Sequence, residues 1–273
     1  MMAAGTGVPL PPTIWPVAQL PAAVQRKGRY VPESFAHPGK MLPAIVREAV
    51  SRFTVPGDLV VDPMCGIGTT LVEAIHLGRH ADGIEYESRW ANTAALNVAL
   101  AARQGATGRA TVTVGDARHL DALVRGSAVG TAALIVTSPP YGSWCHGVAS
   151  TGPQPVRVRN HRYSDDRGNL ADGGAGALFA GFGQILGHCA SLLRPGGTMV
   201  VTSRPWRERG ELIDLPGAVL ALAVAAGLHP IGRHVALLAA IRDGELIPRA
   251  SFFQMVKVRE ARARGIQSPC YWP

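Results

Sequence analysis

The sequence has few cysteines and no long apolar runs. Its four cysteines stand at positions 65, 145, 189 and 270, and no two of them form a Cys-x-x-Cys pair. Thiols spaced this widely predict neither a disulfide framework nor a metal site, so we expect no bound metal and a cytoplasmic location. The apolar run 218–226 is far shorter than the roughly 20 residues of a membrane span. Because the N-terminus does not resemble a signal peptide either, we expect a soluble protein with no membrane partner.

Lysine is also scarce, since it occurs only at positions 27, 40 and 257, and most of the 27 basic residues are arginines. Against 19 acidic residues they leave a formal net charge of +8. Arginine binds phosphate in a bidentate manner and stacks on bases, which favours a nucleic-acid partner. A composition rich in Ala, Gly, Pro and Arg is equally typical of a GC-rich genome. Charge alone therefore supports this partner only weakly.

The 273 residues, 47% of them hydrophobic, suffice for one large domain or for one domain with a small appendage. Hydrophobic patterning predicts strands at 59–62, 81–85, 110–114, 134–136, 198–203 and 234–241, and helices at 44–53, 69–77, 88–103, 178–193 and 215–226. Strands that alternate with helices predict an α/β fold with a mostly parallel, doubly wound sheet. We interpret 1–25 as an irregular lead-in and 26–273 as one domain, with 142–176 as a polar loop inserted into it.

A glycine-containing loop joins the first predicted strand to its helix, in the segment Asp62-Pro-Met-Cys-Gly-Ile-Gly-Thr-Thr70. Gly66 and Gly68 allow a tight turn and the close approach of a ligand. A third glycine and a Lys-Ser/Thr pair are both missing, which argues against the dinucleotide and P-loop versions of such a loop. Glu85, about 20 residues further on, has the spacing of an acid that binds ribose hydroxyls, and Asp116 could accept from an adenine amine. The three acids together predict an adenosine-containing cofactor.

The run Ala132–Thr137 ends in a Ser138-Pro-Pro-Tyr141 corner. Two consecutive prolines end the strand and leave carbonyl oxygens free at the edge of the sheet where open α/β sheets bind ligands. Ser138 and these carbonyls can accept hydrogens from an exocyclic base amine while Tyr141 stacks on the base. A plain strand-terminating turn would explain the corner alone, but the loop and acids upstream favour a catalytic one.

With these motifs in this order, and with His37-Pro-Gly-Lys-Met41 before them, the chain resembles the S-adenosylmethionine-dependent DNA amino-methyltransferases of the N4-cytosine/N6-adenine type. The resemblance implies a Rossmann-like class I methyltransferase fold with an antiparallel hairpin at the far end of its sheet. It implies S-adenosylmethionine as cofactor and Ser138, Pro139, Pro140 and Tyr141 as the catalytic corner. It assigns the cofactor to His37, Lys40, Met41, Asp62, Cys65, Gly66, Gly68, Thr69, Glu85 and Asp116.

The substrate has alternatives at this level. Ser rather than Asp before Pro-Pro leans toward N4 of cytosine over N6 of adenine in DNA, and we expect Arg157, Arg159 and Arg162 of the polar loop to contact nucleic acid. RNA is possible, because some tRNA guanine-N2 methyltransferases carry a related Pro-Pro-Tyr corner. A different class of protein, a non-catalytic basic nucleic-acid-binding protein that retains the nucleoside pocket, would not need the intact corner.

Overall fold

The computed structural model describes residues 12–123, 129–140, 148–149, 158–159, 166, 168–170, 172, 174–208, 211–249 and 265. Its strands are β1 (Pro12–Trp15), β2 (Leu59–Asp62), β3 (His80–Glu85), β4 (Ala110–Val114), β5 (Ala132–Thr137), β6 (Val148–Ala149), β7 (Val158–Arg159), β8 (Leu193–Val201), β9 (Trp206–Glu208), β10 (Glu211–Ile213), β11 (Arg233–Ala236), β12 (Ala239–Arg242) and β13 (Glu245–Pro248). Its α-helices are α1 (Ala22–Arg26), α2 (Pro43–Phe53), α3 (Thr69–His76), α4 (Ser88–Arg103), α5 (Leu120–Leu123), α6 (Gly174–Leu192) and α7 (Leu215–Ala225). Short 3-10 turns span Pro32–Ala36 and Ala117–His119.

Five parallel strands form the central sheet, in the order β4-β3-β2-β5-β8. All six residues of β5 are buried, as expected for a central parallel strand that is covered on both faces. Side chains alternate between the faces, so Leu134 packs in the core with α2, α3 and α4 while Ile135 packs in the core with α6. The doubly wound, Rossmann-like arrangement predicted from the sequence is therefore confirmed.

The helices start and end where their residues favour it. Pro43 stands in the first turn of α2, where a missing amide hydrogen costs nothing, and Val46, Ala49 and Val50 give that helix its buried face. α3 begins directly after Gly68, a left-handed residue at φ 77°. This abrupt turn from β2 into α3 sets the position of the glycine loop.

Three predicted segments differ in the structure. The lead-in expected to be irregular contains β1 and α1, and β1 pairs in parallel with β11, more than two hundred residues later. The polar loop 142–176 contains the two-residue pair β6–β7 and the first turn of α6, which begins at Gly174 instead of residue 178. A local periodicity cannot reveal a strand whose partner lies so far along the chain, and the short pair lacks a hydrophobic pattern.

The C-terminal part differs as well. The strand predicted at 234–241 is two strands, because β11 pairs with β1 whereas β12 pairs with β13 in an antiparallel hairpin. This hairpin is not paired with the five-stranded sheet in the part of the chain that the structure describes. Residues Arg194–Gly197, which separate the helix predicted at 178–193 from the strand predicted at 198–203, lie within β8, where the register against β5 shifts. None of the helices in the described ranges is long and apolar enough to cross a membrane.

Candidate active site

The three predicted acids, the glycine loop and Ser138 lie at the carboxyl edge of the central sheet. From β2 the chain proceeds to β3 and β4 on one side, and β5 and β8 lie on the other. The boundary between β2 and β5 is thus the switch point at which open α/β sheets bind ligands. Asp62 ends β2 and Ser138 follows β5, so the two predicted halves of the site meet at this boundary.

The loop after β2 has the conformation that its glycines predict. Gly66 and Gly68 both lie in the left-handed region, at φ 54° and 77°. A Cβ on Gly66 would stand 3.1 Å from Nε2 of His37, and one on Gly68 would stand 3.1 Å from Cβ of Ala94. The backbone angle therefore favours glycine at both positions, and a Cβ at either would also force its neighbour to shift.

Glu85 at the end of β3 is buried and holds this loop. Its Oε2 accepts a hydrogen bond of 2.7 Å from the Gly66 amide, and its Oε1 accepts one of 2.9 Å from the Glu87 amide. Burial raises the pKa of Glu85 to about 7, although both amide hydrogen bonds lower it. Among the described residues no lysine or arginine forms an ion pair with this carboxylate. Each oxygen keeps a lone pair for a further donor.

Asp62 is buried in a similar way. Its carboxylate accepts from the Thr70 hydroxyl at 2.6 Å and from the Met64 amide at 3.1 Å. Burial raises the pKa of Asp62 to about 6, against the influence of these two donors. The Thr137 hydroxyl of β5 also lowers this pKa, without making a hydrogen bond of normal geometry.

Asp116 after β4 has different surroundings. Its carboxylate accepts from the Arg118 backbone amide at 2.9 Å and from the Arg118 guanidinium, with Nε 2.9 Å from Oδ2. Burial alone would raise the pKa of Asp116, but the hydrogen bonds from Arg118 hold it below its usual value. Arg118 also donates to the carbonyl of Gly168 at 3.1 Å. The third predicted acid is thus at the expected strand end, but already carries a charged partner.

The segment His37–Met41 lies against the glycine loop. The buried ring of His37 lies against Gly66 and packs edge-on to Trp90 with 4.6 Å between the ring centroids. Burial, followed by the charge of Lys40, lowers the pKa of His37 to about 3. Burial, followed by the charge of Arg26, lowers the pKa of Lys40 to about 8, and its ammonium donates to the His37 carbonyl. Met41 reaches the residue that follows β8, where the Thr202 hydroxyl lies 3.4 Å from the Met41 sulfur.

Two buried charged residues with no predicted role hold the chain before and beside this segment. Glu73 of α3 is fully buried and accepts from Arg29 through two bonds of 2.9 Å, from Arg47 at 3.1 Å and from the Tyr30 hydroxyl at 2.6 Å. Arg26 is buried over the Tyr30 ring and donates to the Met41 carbonyl and, at 3.4 Å, to the Thr69 hydroxyl. A lone acid within the apolar run of α3 was the available signal for Glu73, and no local pattern marked Arg26.

The predicted catalytic corner lies within the described residues only up to Pro140. Ser138 and Pro140 are half-buried, Pro139 is buried, and the preceding Thr137 carbonyl accepts from the Thr202 amide at 2.9 Å. Tyr141, Arg157 and Arg162 lie outside the described residues, and of Arg159 only the backbone, in β7, is described. The corner therefore lies beside Asp62, while the predicted stacking and nucleic-acid contacts stay predictions.

The structure thus brings together most of the predicted cofactor residues, namely His37, Lys40, Met41, Asp62, Cys65, Gly66, Gly68, Thr69 and Glu85. Cys65 is buried, its amide donates to the Ile84 carbonyl at 2.8 Å, and burial raises the pKa of its thiol. A glycine cradle that a Cβ would fill, next to a buried carboxylate with free lone pairs, fits the hydroxyl-bearing part of a nucleoside. Asp116 stands two strands from β2 along the same edge.

Comparisons with known proteins agree with the motifs. Residues 8–96 match the family model described as DNA methylase, N6_N4_Mtase. Over these residues the match confirms the resemblance to DNA amino-methyltransferases that the sequence motifs indicate. The chain is 32% identical over 121 residues to the tRNA (guanine(10)-N2)-dimethyltransferase of Methanocaldococcus jannaschii, covering 43% of this chain and 33% of that protein. It is 30% identical over 141 residues to the enzyme of the same name from Methanothermobacter thermautotrophicus, covering 51% and 38%.

The chain therefore spans between a third and two fifths of the length of these curated relatives. Among solved structures, TrmN from Thermus thermophilus is similar with a TM-score of 0.47 and 18% identity, over 82% of this chain and 51% of that one. A TehB-like SAM-dependent methyltransferase from Corynebacterium glutamicum has a TM-score of 0.38 and 13% identity, over 66% and 71%.

Proposed function

We propose that this chain, whose residues 8–96 match the DNA methylase family model, is an S-adenosylmethionine-dependent methyltransferase that acts on an exocyclic amine of a nucleic-acid base. One observation carries the proposal: the buried Glu85, the glycine loop after Asp62 and the Ser138 corner follow three adjacent strands, β3, β2 and β5. A nucleoside cofactor at the first two would bring its reactive end to the third.

The residues present fit S-adenosylmethionine. Glu85 would accept hydrogen bonds from the ribose hydroxyls through its remaining lone pairs, and Asp116 would lie toward the adenine. Gly66, Gly68 and Thr69 would border the methionine part, with His37 and Met41 over it. When bound, the cofactor supplies an electrophilic methyl group on a sulfonium, whose sulfur is a good leaving group.

The Ser138 corner would prepare the acceptor amine. An exocyclic amine is a poor nucleophile because its lone pair is delocalised into the ring. The Ser138 hydroxyl and the Pro139 carbonyl would accept hydrogen bonds from the two N–H groups of the amine. These bonds would localise the lone pair on nitrogen and fix its direction, so that positioning supplies much of the rate. Tyr141 would hold the base, which must leave its stack before it can enter the corner.

We propose DNA as the substrate, with N4 of cytosine favoured over N6 of adenine. The matched family model and the serine before Pro-Pro support this choice. RNA is the second candidate, because the two curated relatives described above are named as tRNA methyltransferases. For either substrate, Arg157, Arg159 and Arg162 are proposed to contact phosphates. Neutralising one of them should lower the slope of log affinity against log salt by about one unit.

Incubation with labelled S-adenosylmethionine, separately with duplex DNA and with tRNA, followed by nucleoside analysis, tests the function. We expect label in N4-methylcytosine, whereas N6-methyladenine would correct only the base. Label confined to RNA would show that RNA is the substrate, and nucleic-acid binding without any methyl transfer would favour the non-catalytic binding protein.

Ser138→Ala and Tyr141→Ala should lower turnover about a hundredfold with cofactor affinity unchanged. Tyr141→Phe should retain more activity because stacking needs only the ring.

A further inference from the structure

Asn97, in the middle of α4, is a fully buried polar residue that no motif marks. Its Nδ2 donates to the Ile67 carbonyl at 2.8 Å and to the Ser34 hydroxyl at 2.9 Å. Its Oδ1 accepts from the Val31 amide at 2.8 Å. One side chain thus makes good hydrogen bonds to two segments that are far apart in the sequence.

The first of these segments is the glycine loop. Ile67 stands between Gly66 and Gly68, and its carbonyl faces α4. The loop is held from the sheet side by Glu85, through the Gly66 amide. The hydrogen bond from Asn97 holds it from the helix side. Close packing at Ala94, one turn earlier in α4, brings the helix near enough for this contact.

The second segment leads to the residues that cover the loop. Val31 precedes the 3-10 turn Pro32–Ala36, Ser34 lies within it, and His37 follows it directly. The His37 ring then lies against Gly66. Asn97 is therefore bonded both to the loop below the proposed methionine pocket and to the base of the segment above it.

We propose that Asn97 is a positioning residue that sets the spacing between the glycine loop and the His37 segment, and so preorganises the methionine end of the cofactor site. This inference rests on the proposed function. The Ile67 carbonyl needs a donor and the Val31 amide needs an acceptor, so the side chain at position 97 must provide both. Aspartate at this position would present oxygen to the Ile67 carbonyl, and alanine would remove the hydrogen-bond partner of both the Ile67 carbonyl and the Val31 amide.

Thr93 of the same helix provides a matched control. It is also buried, but its hydroxyl donates to the Arg89 carbonyl one turn earlier, at 3.0 Å. Thr93→Val keeps the shape and removes this local hydrogen bond. A general loss of packing in α4 would affect Asn97 and Thr93 variants alike, whereas a positioning role affects only the former.

The experiment compares Asn97→Asp, Ser34→Ala and Thr93→Val with the wild type. Hydrogen exchange without any cofactor should become faster at the amides of both segments, 31–37 and 65–68, in Asn97→Asp. Calorimetry should show S-adenosylmethionine affinity lowered about tenfold, and kinetics should show a raised KM for the cofactor with kcat changed less than about twofold. Thr93→Val should change none of these. Ser34→Ala should act in the same direction as Asn97→Asp with a smaller effect, and decides the matter if Asn97→Asp does not fold.

Faster exchange in only one of the two segments would overturn the proposed coupling. Unchanged affinity in a folded Asn97→Asp, or an equal loss in Thr93→Val, would overturn the positioning role. A wild type that binds no S-adenosylmethionine would contradict the proposed function instead, while the exchange measurement would still report whether Asn97 couples the segments.

Discussion

The acids that end β2 and β3 and the acid after β4 stand on the same edge of the sheet, but their pKa values are shifted in opposite directions. Asp62 and Glu85 are buried with only neutral donors, and burial raises their pKa values to about 6 and about 7. Asp116 is partly exposed and paired with Arg118, which keeps its pKa low. Burial of a carboxylate without a charged partner is unfavourable, and folding alone gives Glu85 no compensation beyond two amide hydrogens.

This difference indicates where a ligand gains most. Hydroxyl donors that reach Glu85 would complete the hydrogen bonding of an otherwise undersatisfied carboxylate, in surroundings of low dielectric where such bonds are strong. A donor that reaches Asp116 competes with a guanidinium already in place. The two ends of a bound nucleoside should therefore contribute unequally to affinity.

The largest effect is expected from removing Glu85. Glu85→Ala deletes two charge-assisted hydrogen bonds to ribose, each worth roughly 1.5–3 kcal/mol, so cofactor affinity measured by calorimetry should fall at least tenfold. Glu85→Gln keeps one acceptor, so its cofactor affinity should lie between those of the wild type and Glu85→Ala. Glu48→Ala, which changes a partly exposed acid of α2, is the control and should bind normally. Full affinity in a folded Glu85→Ala would mean that the ribose lies elsewhere.

An intermediate effect is expected in the stability of the protein without cofactor. Glu85 has a pKa of about 7 in the folded chain and an ordinary value of 4.5, so the folded state binds more protons between these values. Its ionisation therefore destabilises the fold as pH rises, by about 1–2 kcal/mol from pH 6 to pH 8. The buried His37, whose pKa is about 3, acts in the opposite sense. Both proteins contain His37, so its contribution cancels when the unfolding free energies of wild type and Glu85→Gln are subtracted. A difference in unfolding free energy that does not change with pH would refute the raised pKa of Glu85.

The smallest effect is expected at Asp116. Asp116→Asn removes a charge that Arg118 already balances, so cofactor affinity should fall by less than about threefold, as for a partly exposed ion pair. Calorimetry under the conditions used for Glu85→Ala gives the comparison directly. A loss as large as that of Glu85→Ala would show that the adenine end contributes equally and that Arg118 moves away on binding.

Local spacing was sufficient to predict the central sheet and the position of the three acids at the ends of its strands. Buried parallel strands read as short apolar runs, and the interval from Asp62 to Glu85 reflects one strand–helix–strand unit. The missed features depend on distant partners: β1 pairs with β11, and Arg26 and Asn97 bond to residues 43 and 66 positions away. Such contacts exist only once the chain is folded, so no window of sequence contains them.

The most direct test of the central claim is a calorimetric titration of S-adenosylmethionine into the wild-type protein at pH 8 and at pH 6. With Glu85 ionised at the higher pH and mostly protonated at the lower, affinity should fall about tenfold between them. Glu85→Gln should lose most of this dependence, and Asp116→Asn should keep it. Absence of binding at both pH values, or an equal pH dependence in Glu85→Gln, would contradict the assignment of the cofactor to the ends of β2 and β3.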